Sequence, residues 1–98
     1  MAAYFIFNYN VTDAEKYNEY RAAVGKTLAS HEVKVLVAHE GETIEGSPQP
    51  MMIILEFTSK QAAHAWYDSE AYREVIHLRE ESTENGIAVL ADSFSTRN

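Results

Sequence analysis

The sequence has 98 residues, a net charge of −7 and no cysteine. This length suits one domain, so we predict a single domain over residues 1–98. The negative charge disfavours nucleic acid and anionic membrane surfaces as partners, and the longest apolar run, Met51–Leu55, is too short to span a bilayer. Lack of cysteine excludes disulfides, thiolate metal sites and cysteine nucleophiles. With no signal-peptide pattern at the N-terminus, we expect a cytoplasmic protein.

The first half of the chain predicts strand, helix and strand. Apolar residues alternate over Tyr4–Val11, which is typical of a strand. A capping box with Thr12 as N-cap predicts a helix after it, in which Gly25 costs about 1 kcal/mol relative to Ala. The apolar stripe of this helix is Tyr17, Tyr20, Val24 and Leu28. Lys34–Glu40 is a second strand, and Thr43–Glu45 could continue its pairing.

The second half predicts a loop, a strand, a broken helix and a last strand. Two prolines place residues 47–50 in a loop, and Met51–Phe57 is the third strand. Thr58 and Gln61 repeat the capping pattern at the start of a helical region. We predict a break at Asp68, after which Ser69 caps a second segment whose apolar face carries Tyr72, Val75, Ile76 and Arg79.

A glycine and an apolar run predict the last elements of the chain. Gly86 is predicted to end the helical region, and Ile87–Ala91 is the last strand. The tail from about residue 93 is polar except for Phe94, and we expect it to fray. The order β-α-β-β-α-β predicts an α+β, ferredoxin-like fold, with a four-stranded antiparallel sheet and its helical regions on one face.

Both faces of the predicted sheet are apolar. Strand one offers Phe5, Phe7 and Tyr9 on one side and Tyr4 and Ile6 on the other; strand two offers Leu36 and Ala38 against Val35 and Val37. Two helical regions can cover only one face, and an exposed apolar face of this size favours aggregation. We therefore predict a homodimer joined sheet to sheet, while the alternative is a monomer with scattered apolar surface residues. Asn8 and Glu56 are polar exceptions on the face opposite the helices.

Several segments resemble one protein family over nearly the whole chain. They are Glu45-Gly46, the strand Ile54-Leu55-Glu56-Phe57, the run from Ala65 to Tyr72, and Leu78-Arg79. This pattern resembles the small bacterial proteins of domain-of-unknown-function family 1330. The resemblance implies the dimeric α/β-barrel superfamily, in which two ferredoxin-like protomers pack their sheets together. Because that superfamily holds cofactor-free monooxygenases, isomerases, haem-dependent enzymes and proteins of no known activity, the fold does not choose a function.

A guanidinium and an aromatic group are the leading ligand-binding candidates. Arg79 lies on an apolar helical face, where it must pair with a carboxylate such as Glu45 or Glu56 or with a ligand anion. Trp66, Tyr67 and Tyr72 surround the break at Ser69. They are either core or the wall of a pocket with hydroxyl groups.

The histidines offer weaker candidates. His39 near the end of strand two could meet Glu45 across a turn and form an acid/base pair, or both could be exposed polar residues. His64 with Asp68, and His77 with Glu81, have helical spacing, but two ligands do not make a zinc site, so no metal or other cofactor is expected.

Three functional hypotheses remain open. In the first, the chain is an enzyme without a bound metal that acts on a small anionic or aromatic molecule between sheet and helices. Arg79 would hold an oxyanion while His39 or a carboxylate moves a proton. In the second, the same pocket binds a ligand without catalysis. In the third, the apolar sheet face serves assembly only.

Overall fold

The computed structural model describes residues 1–94 and has the element order predicted from the sequence. The elements are β1 (Ala3–Val11), α1 (Ala14–Ala29), β2 (Lys34–Glu40), β3 (Met51–Phe57), α2 (Lys60–Tyr67), α3 (Glu70–Ser82) and β4 (Thr83–Asp92). The ferredoxin-like α+β fold is thereby confirmed, with the second helical region divided into α2 and α3. No helix within residues 1–94 is long and apolar enough to cross a membrane.

The sheet is antiparallel and has the strand order β2-β3-β1-β4. On the central strand β1, Phe5 lies opposite Leu55 of β3 and Leu90 of β4, so these three side chains share a face. The helices cover this face, and the buried Phe5, Phe7 and Tyr9 follow it along β1. The alternation in the sequence thus sets which face of the sheet forms the core.

Aromatic rings fill the layer between the sheet and the helices. Trp66 is almost fully buried, with its ring centroid 4.2 Å from that of Tyr72 and 5.6 Å from that of Phe57. Its indole N–H donates to the Thr27 hydroxyl at 2.9 Å, which satisfies the one polar group of the side chain. Trp66 therefore joins α2 to both α1 and the sheet.

Two of the three predicted N-caps are displaced by one residue. The Asp13 carboxylate accepts from the Lys16 amide at 3.1 Å, so Asp13 and not Thr12 caps α1. Likewise Ser59, not Thr58, caps α2 and accepts from the Ala62 amide. Adjacent residues in each turn can cap, and the sequence alone does not separate them. The predicted break is confirmed, because Asp68 ends α2 and Ser69 caps α3.

The prediction that Gly86 ends the helical region is wrong. α3 ends at Ser82, whose hydroxyl donates to the Leu78 carbonyl, and β4 begins at Thr83, whose hydroxyl donates to the Arg79 carbonyl at 2.7 Å. These hydroxyls satisfy carbonyls that the last helical turn leaves free. Gly86 instead lies inside β4.

A bulge explains why Asn85-Gly86 sits within a strand. The register between β1 and β4 shifts between Asn8 and Asn10, and Asn85 adopts a φ of 56° opposite this shift. Asparagine tolerates positive φ better than other residues with a side chain. The pair therefore bends β4 rather than ending α3.

The predicted side assignment in β2 is also wrong. Val35 lies opposite Leu55 and Val37 opposite Ile54, so Leu36 is an extra residue in a bulge. Val35 and Ala38 consequently face the helices, because a bulge reverses the alternation beyond it. The segment between β2 and β3 contains no strand, so Thr43–Glu45 does not extend the pairing.

The face of the sheet away from the helices, here called the open face, is apolar as predicted. It carries Ile6, Val37, Ile54, Ile87 and Val89. Ile87 and Val89 are 57% and 49% exposed, far more than residues of an ordinary core. The molecule spans 44 × 36 × 16 Å by its Cα atoms, and the short dimension holds only two layers.

Asn8 fixes the loop before β3 to the open face. Its side-chain amide donates to the Gln49 and Met51 carbonyls, both at 2.8 Å, and its Oδ1 accepts from the Gln49 amide at 2.9 Å. Although it points away from the helices, Asn8 is only 7% exposed. These three hydrogen bonds join Asn8 to Gln49 and Met51, so the side chain holds the loop before β3 against β1.

We expect Asn8→Ala to destabilise the protein by about 1–3 kcal/mol, because the buried groups at Gln49 lose their partners. Urea unfolding measures the loss. Limited proteolysis of residues 41–50 should also become faster in this variant. Asn10→Ala removes only an exposed hydrogen bond to Glu84 and should change neither the stability nor the proteolysis rate. Equal stability and equal proteolysis rates in the two variants would contradict the role of Asn8 in holding the loop.

Candidate functional site

A cavity of about 210 Å³ lies between α1 and the helix-facing side of the sheet. α1 supplies Tyr17, Tyr20, Arg21 and Gly25 among its lining residues, and the sheet and α2 supply Phe7, Tyr9 and Trp66. The three- and four-residue spacing along α1 brings its lining residues onto one side of the helix. We call this space the tyrosine cavity.

Tyrosine hydroxyls form two buried pairs beside the cavity. The hydroxyls of Tyr9 and Tyr17 lie 2.7 Å apart, and those of Tyr20 and Tyr72 lie 2.9 Å apart. The first pair joins the consecutive elements β1 and α1, and the second joins Tyr20 on α1 to Tyr72 on α3, 52 residues away. Hydroxyl groups thus collect along one wall of an otherwise apolar space.

Arg79 places a positive charge beside this wall. Its guanidinium carbon lies 5.4 Å from the ring centroid of Phe7 and 5.9 Å from that of Tyr9, both of which line the cavity. Within residues 1–94, its buried Nε has no hydrogen-bond partner and Arg79 forms no salt bridge. Interaction with two aromatic faces offsets only part of the cost of burying the charge.

The carboxylates predicted as partners of Arg79 lie elsewhere. Glu56 is on the open face, where it accepts from the Tyr4 hydroxyl at 3.1 Å and its Oε1 lies 3.9 Å from Lys34 Nζ. Glu45 is exposed in the loop between β2 and β3. The structural salt bridge considered for Arg79 is therefore not formed by either residue.

The tyrosines of the cavity resist ionisation. Burial raises the pKa of Tyr9, Tyr17 and Tyr20 above the ordinary tyrosine value, because a phenolate there would lose its water. The charge of Arg79 acts to lower the pKa of all three but is outweighed by burial. The hydroxyls remain protonated donors over the physiological range.

We expect this burial to appear as a loss of stability in alkaline solution. The folded state keeps these tyrosines protonated above the pKa of unfolded tyrosine, about 10. Their contribution to the free energy of unfolding should therefore be constant below that pH and fall above it. Urea unfolding between about pH 8 and about pH 11 measures the trend. Ionisation of every tyrosine near pH ~10 without loss of fold would contradict it.

The aromatic candidates predicted around Ser69 are mainly structural contacts of the core. Ser69 donates to the Trp66 carbonyl and accepts from the Tyr72 amide as the cap of α3. Of the three aromatic candidates, Trp66 alone lines the cavity. Tyr72 reaches it through its hydroxyl bond to Tyr20, and Tyr67 stacks under the exposed Arg73 at 4.5 Å.

The predicted acid/base pair is not assembled. His39 faces the open side of β2, opposite Met52, and both His39 and Glu45 are exposed. No hydrogen bond or salt bridge joins them in the part of the chain that the structure describes. Within residues 1–94, no three His, Asp or Glu side chains come together as metal ligands.

Sequence reasoning missed the residues that line the cavity most directly. Tyr17 and Tyr20 were assigned only to an apolar stripe, and Arg21 was not considered. A tyrosine at a core position carries a hydroxyl that must be satisfied, and three such residues in two neighbouring elements were the available signal.

The family profile described as "Domain of unknown function (DUF1330)" matches residues 2–92. The chain belongs to the DUF1330 family. No functionally curated protein matches this DUF1330 chain.

Solved structures share the fold of this DUF1330 protein at low sequence identity. A protein of unknown function from Rhodopseudomonas palustris is 18% identical, with a TM-score of 0.79 over 96% of this chain and 83% of that one. A dimeric ferredoxin-like protein of unknown function from Jannaschia sp. CCS1 is 13% identical, with a TM-score of 0.75 over 95% and 100%. A cofactor-independent oxygenase from Streptomyces nogalater is 11% identical, with a TM-score of 0.70 over 97% and 95%.

Proposed function

We propose that the tyrosine cavity binds a small aromatic molecule with an anionic oxygen. The observation that carries this proposal is Arg79, a half-buried cation packed against the Phe7 and Tyr9 rings of the cavity wall, whose buried Nε has no partner within residues 1–94. A carboxylate or phenolate of the ligand would supply the missing acceptor, and a charge-assisted bond of this kind is among the strongest in proteins. The tyrosine hydroxyls beside it offer further donors.

The volume and lining of the cavity support a ligand of one or two rings. Pockets for drug-sized molecules typically measure about 300–1,000 Å³, and this one is smaller at about 210 Å³. Phe7 and Trp66 present ring surfaces to it, and Leu55 and Val24 present aliphatic ones. Such walls favour a flat apolar body over a sugar or a phosphate ester.

A second positive charge stands at the edge of the cavity. Arg21 lines it from the exposed side of α1, although the chain as a whole carries a charge of −7. An anionic ligand is repelled by most of the surface, so local positive charge at the opening would guide it inward. Arg21 thus supplies positive charge at the edge of the cavity, and Arg79 supplies it beside the cavity wall.

Binding without catalysis is the function that the geometry supports best. A general base should lie within hydrogen-bond reach of the ligand and have a pKa near the working pH. Because the pKa values of Tyr9, Tyr17 and Tyr20 are raised, these residues stay protonated near neutral pH and cannot accept a proton as phenolates. His39 lies on the other face of the sheet. The Streptomyces nogalater oxygenase shares this fold, so oxygenation of a bound aromatic anion is the catalytic alternative.

Isothermal titration calorimetry with benzoate, salicylate and 2-naphthoate tests the proposal, with benzamide as the uncharged control for benzoate. We expect the anions to bind and benzamide to bind more weakly, because only an anion compensates Arg79. Consumption of oxygen by any complex would favour the catalytic alternative. Equal affinity for benzoate and benzamide, or binding of neither, would contradict the proposed function.

We also propose that a second copy of the chain covers the open face. Specific interfaces bury about 800 Å² per partner, and a face within the 44 × 36 Å extent of the molecule exceeds that requirement. Exposed Ile87 and Val89 supply apolar surface on the edge strand β4, beside Ile6 of β1. The dimeric protein from Jannaschia shares the fold, which supports the same assembly here.

A further inference from the structure

Gly25 lines the tyrosine cavity from the middle of α1, where glycine weakens a helix. Its backbone conformation does not require glycine, since the positive-φ residues within residues 1–94 are Asn85 and Gly46. A Cβ added at Gly25 would meet no heavy atom within 4 Å beyond its immediate neighbours and its own helix backbone. The missing side chain therefore leaves open space at this position.

The opposite side of this opening is the edge strand β2. Val35 and Ala38 line the cavity from β2, and Val35 is 55% exposed although it faces the helices. A residue that both lines the cavity and contacts solvent marks a place where the cavity opens. The bulge at Leu36 brings Val35 and Ala38 onto this side of the strand.

We propose that the cavity opens between Gly25 of α1 and the Val35–Ala38 segment of β2, and that the absent side chain at Gly25 sets the largest ligand admitted. This inference rests on the proposed function, because it assumes that the cavity takes a ligand. Arg21, one helical turn before Gly25, also lines the cavity, so an anion entering here passes a positive charge. Because Gly25 lines the cavity, leucine at position 25 would extend into the open space, narrow the entrance and take volume that the larger bound ligand needs.

Calorimetric titration of Gly25→Leu with benzoate and 2-naphthoate tests the inference. We expect the dissociation constant for 2-naphthoate to rise at least about 10-fold, which is about 1.4 kcal/mol, while that for benzoate rises less. Ala22→Leu is the matched control, because Ala22 is exposed on the same helix and does not line the cavity. The control should bind both ligands as the native protein does.

A second variant narrows the entrance from its other side. Ala38→Leu on β2 should also discriminate against 2-naphthoate, so the test does not depend on one variant folding. If the native protein binds neither ligand, the proposed function fails. If it binds both and the folded Gly25→Leu and Ala38→Leu variants lose no affinity for 2-naphthoate relative to benzoate, the entrance inference fails while the proposed function stands.

Discussion

Replacing Arg79 with methionine should weaken binding of benzoate by about 10- to 150-fold, because a charge-assisted hydrogen bond contributes about 1.5–3 kcal/mol. The same variant should keep its fold. Removing a buried unpartnered group relieves about 1–3 kcal/mol, which offsets about 0.5–2 kcal/mol lost from the aromatic contacts with Phe7 and Tyr9. Titration calorimetry and urea unfolding on one preparation measure both effects.

Arg73→Met is the matched control for this experiment. Arg73 lies on the same helix and stacks on Tyr67 and Tyr72, but it is exposed and does not approach the cavity wall at Phe7. Its loss should leave benzoate affinity unchanged. A purely structural Arg79 would instead give a destabilised Arg79→Met protein, with benzoate affinity unchanged in the fraction that stays folded.

Introducing a charge on the open face should separate the proposed dimer. In Val89→Glu, each protomer would have to bury a carboxylate on association, and the effective cost is several kcal/mol per ion. We expect the dimer dissociation constant to rise at least about 100-fold. Sedimentation equilibrium measures this change. The isolated protomer should remain folded, because Val89 is already 49% exposed in it.

Ala65→Glu provides the comparison, since it adds the same charge at an exposed position of α2 on the opposite layer. It should sediment as the native protein does. A native protein that sediments as a monomer, or a Val89→Glu protein that remains a dimer, would show that the open face is not the contact between copies.

The fold was largely predictable because its elements follow local rules. Short apolar runs next to turn residues placed β2 at Lys34–Glu40 and β3 at Met51–Phe57, and the structure confirms both ranges. The errors occur where two local signals compete. Asn85-Gly86 is a common helix-ending pair, but here the hydroxyls of Ser82 and Thr83 end the helix first and the pair forms a bulge.

The candidate site was only partly predictable, because it depends on which faces meet across the core. Helical spacing places Arg79 on an apolar face, but its neighbours Phe7 and Tyr9 cannot be inferred from that spacing. The bulge at Leu36 decides that Val35 borders the cavity, and a bulge is a property of paired strands rather than of one strand. Tyr9 and Tyr17 are eight residues apart, but their hydroxyls meet only because the chain reverses between β1 and α1, where Asp13 caps the helix.

The position of β1 has a consequence for how the chain is synthesised and folded. β1 is made before the other three strands of the sheet, yet its neighbours are β3 and β4, and Ala3 pairs with Asp92. During translation, both edges of β1 can be hydrogen-bonded only after β4 has been made, and Phe5, Phe7 and Tyr9 stay without part of their packing until then. Such long-range pairing slows folding and exposes intermediates to aggregation.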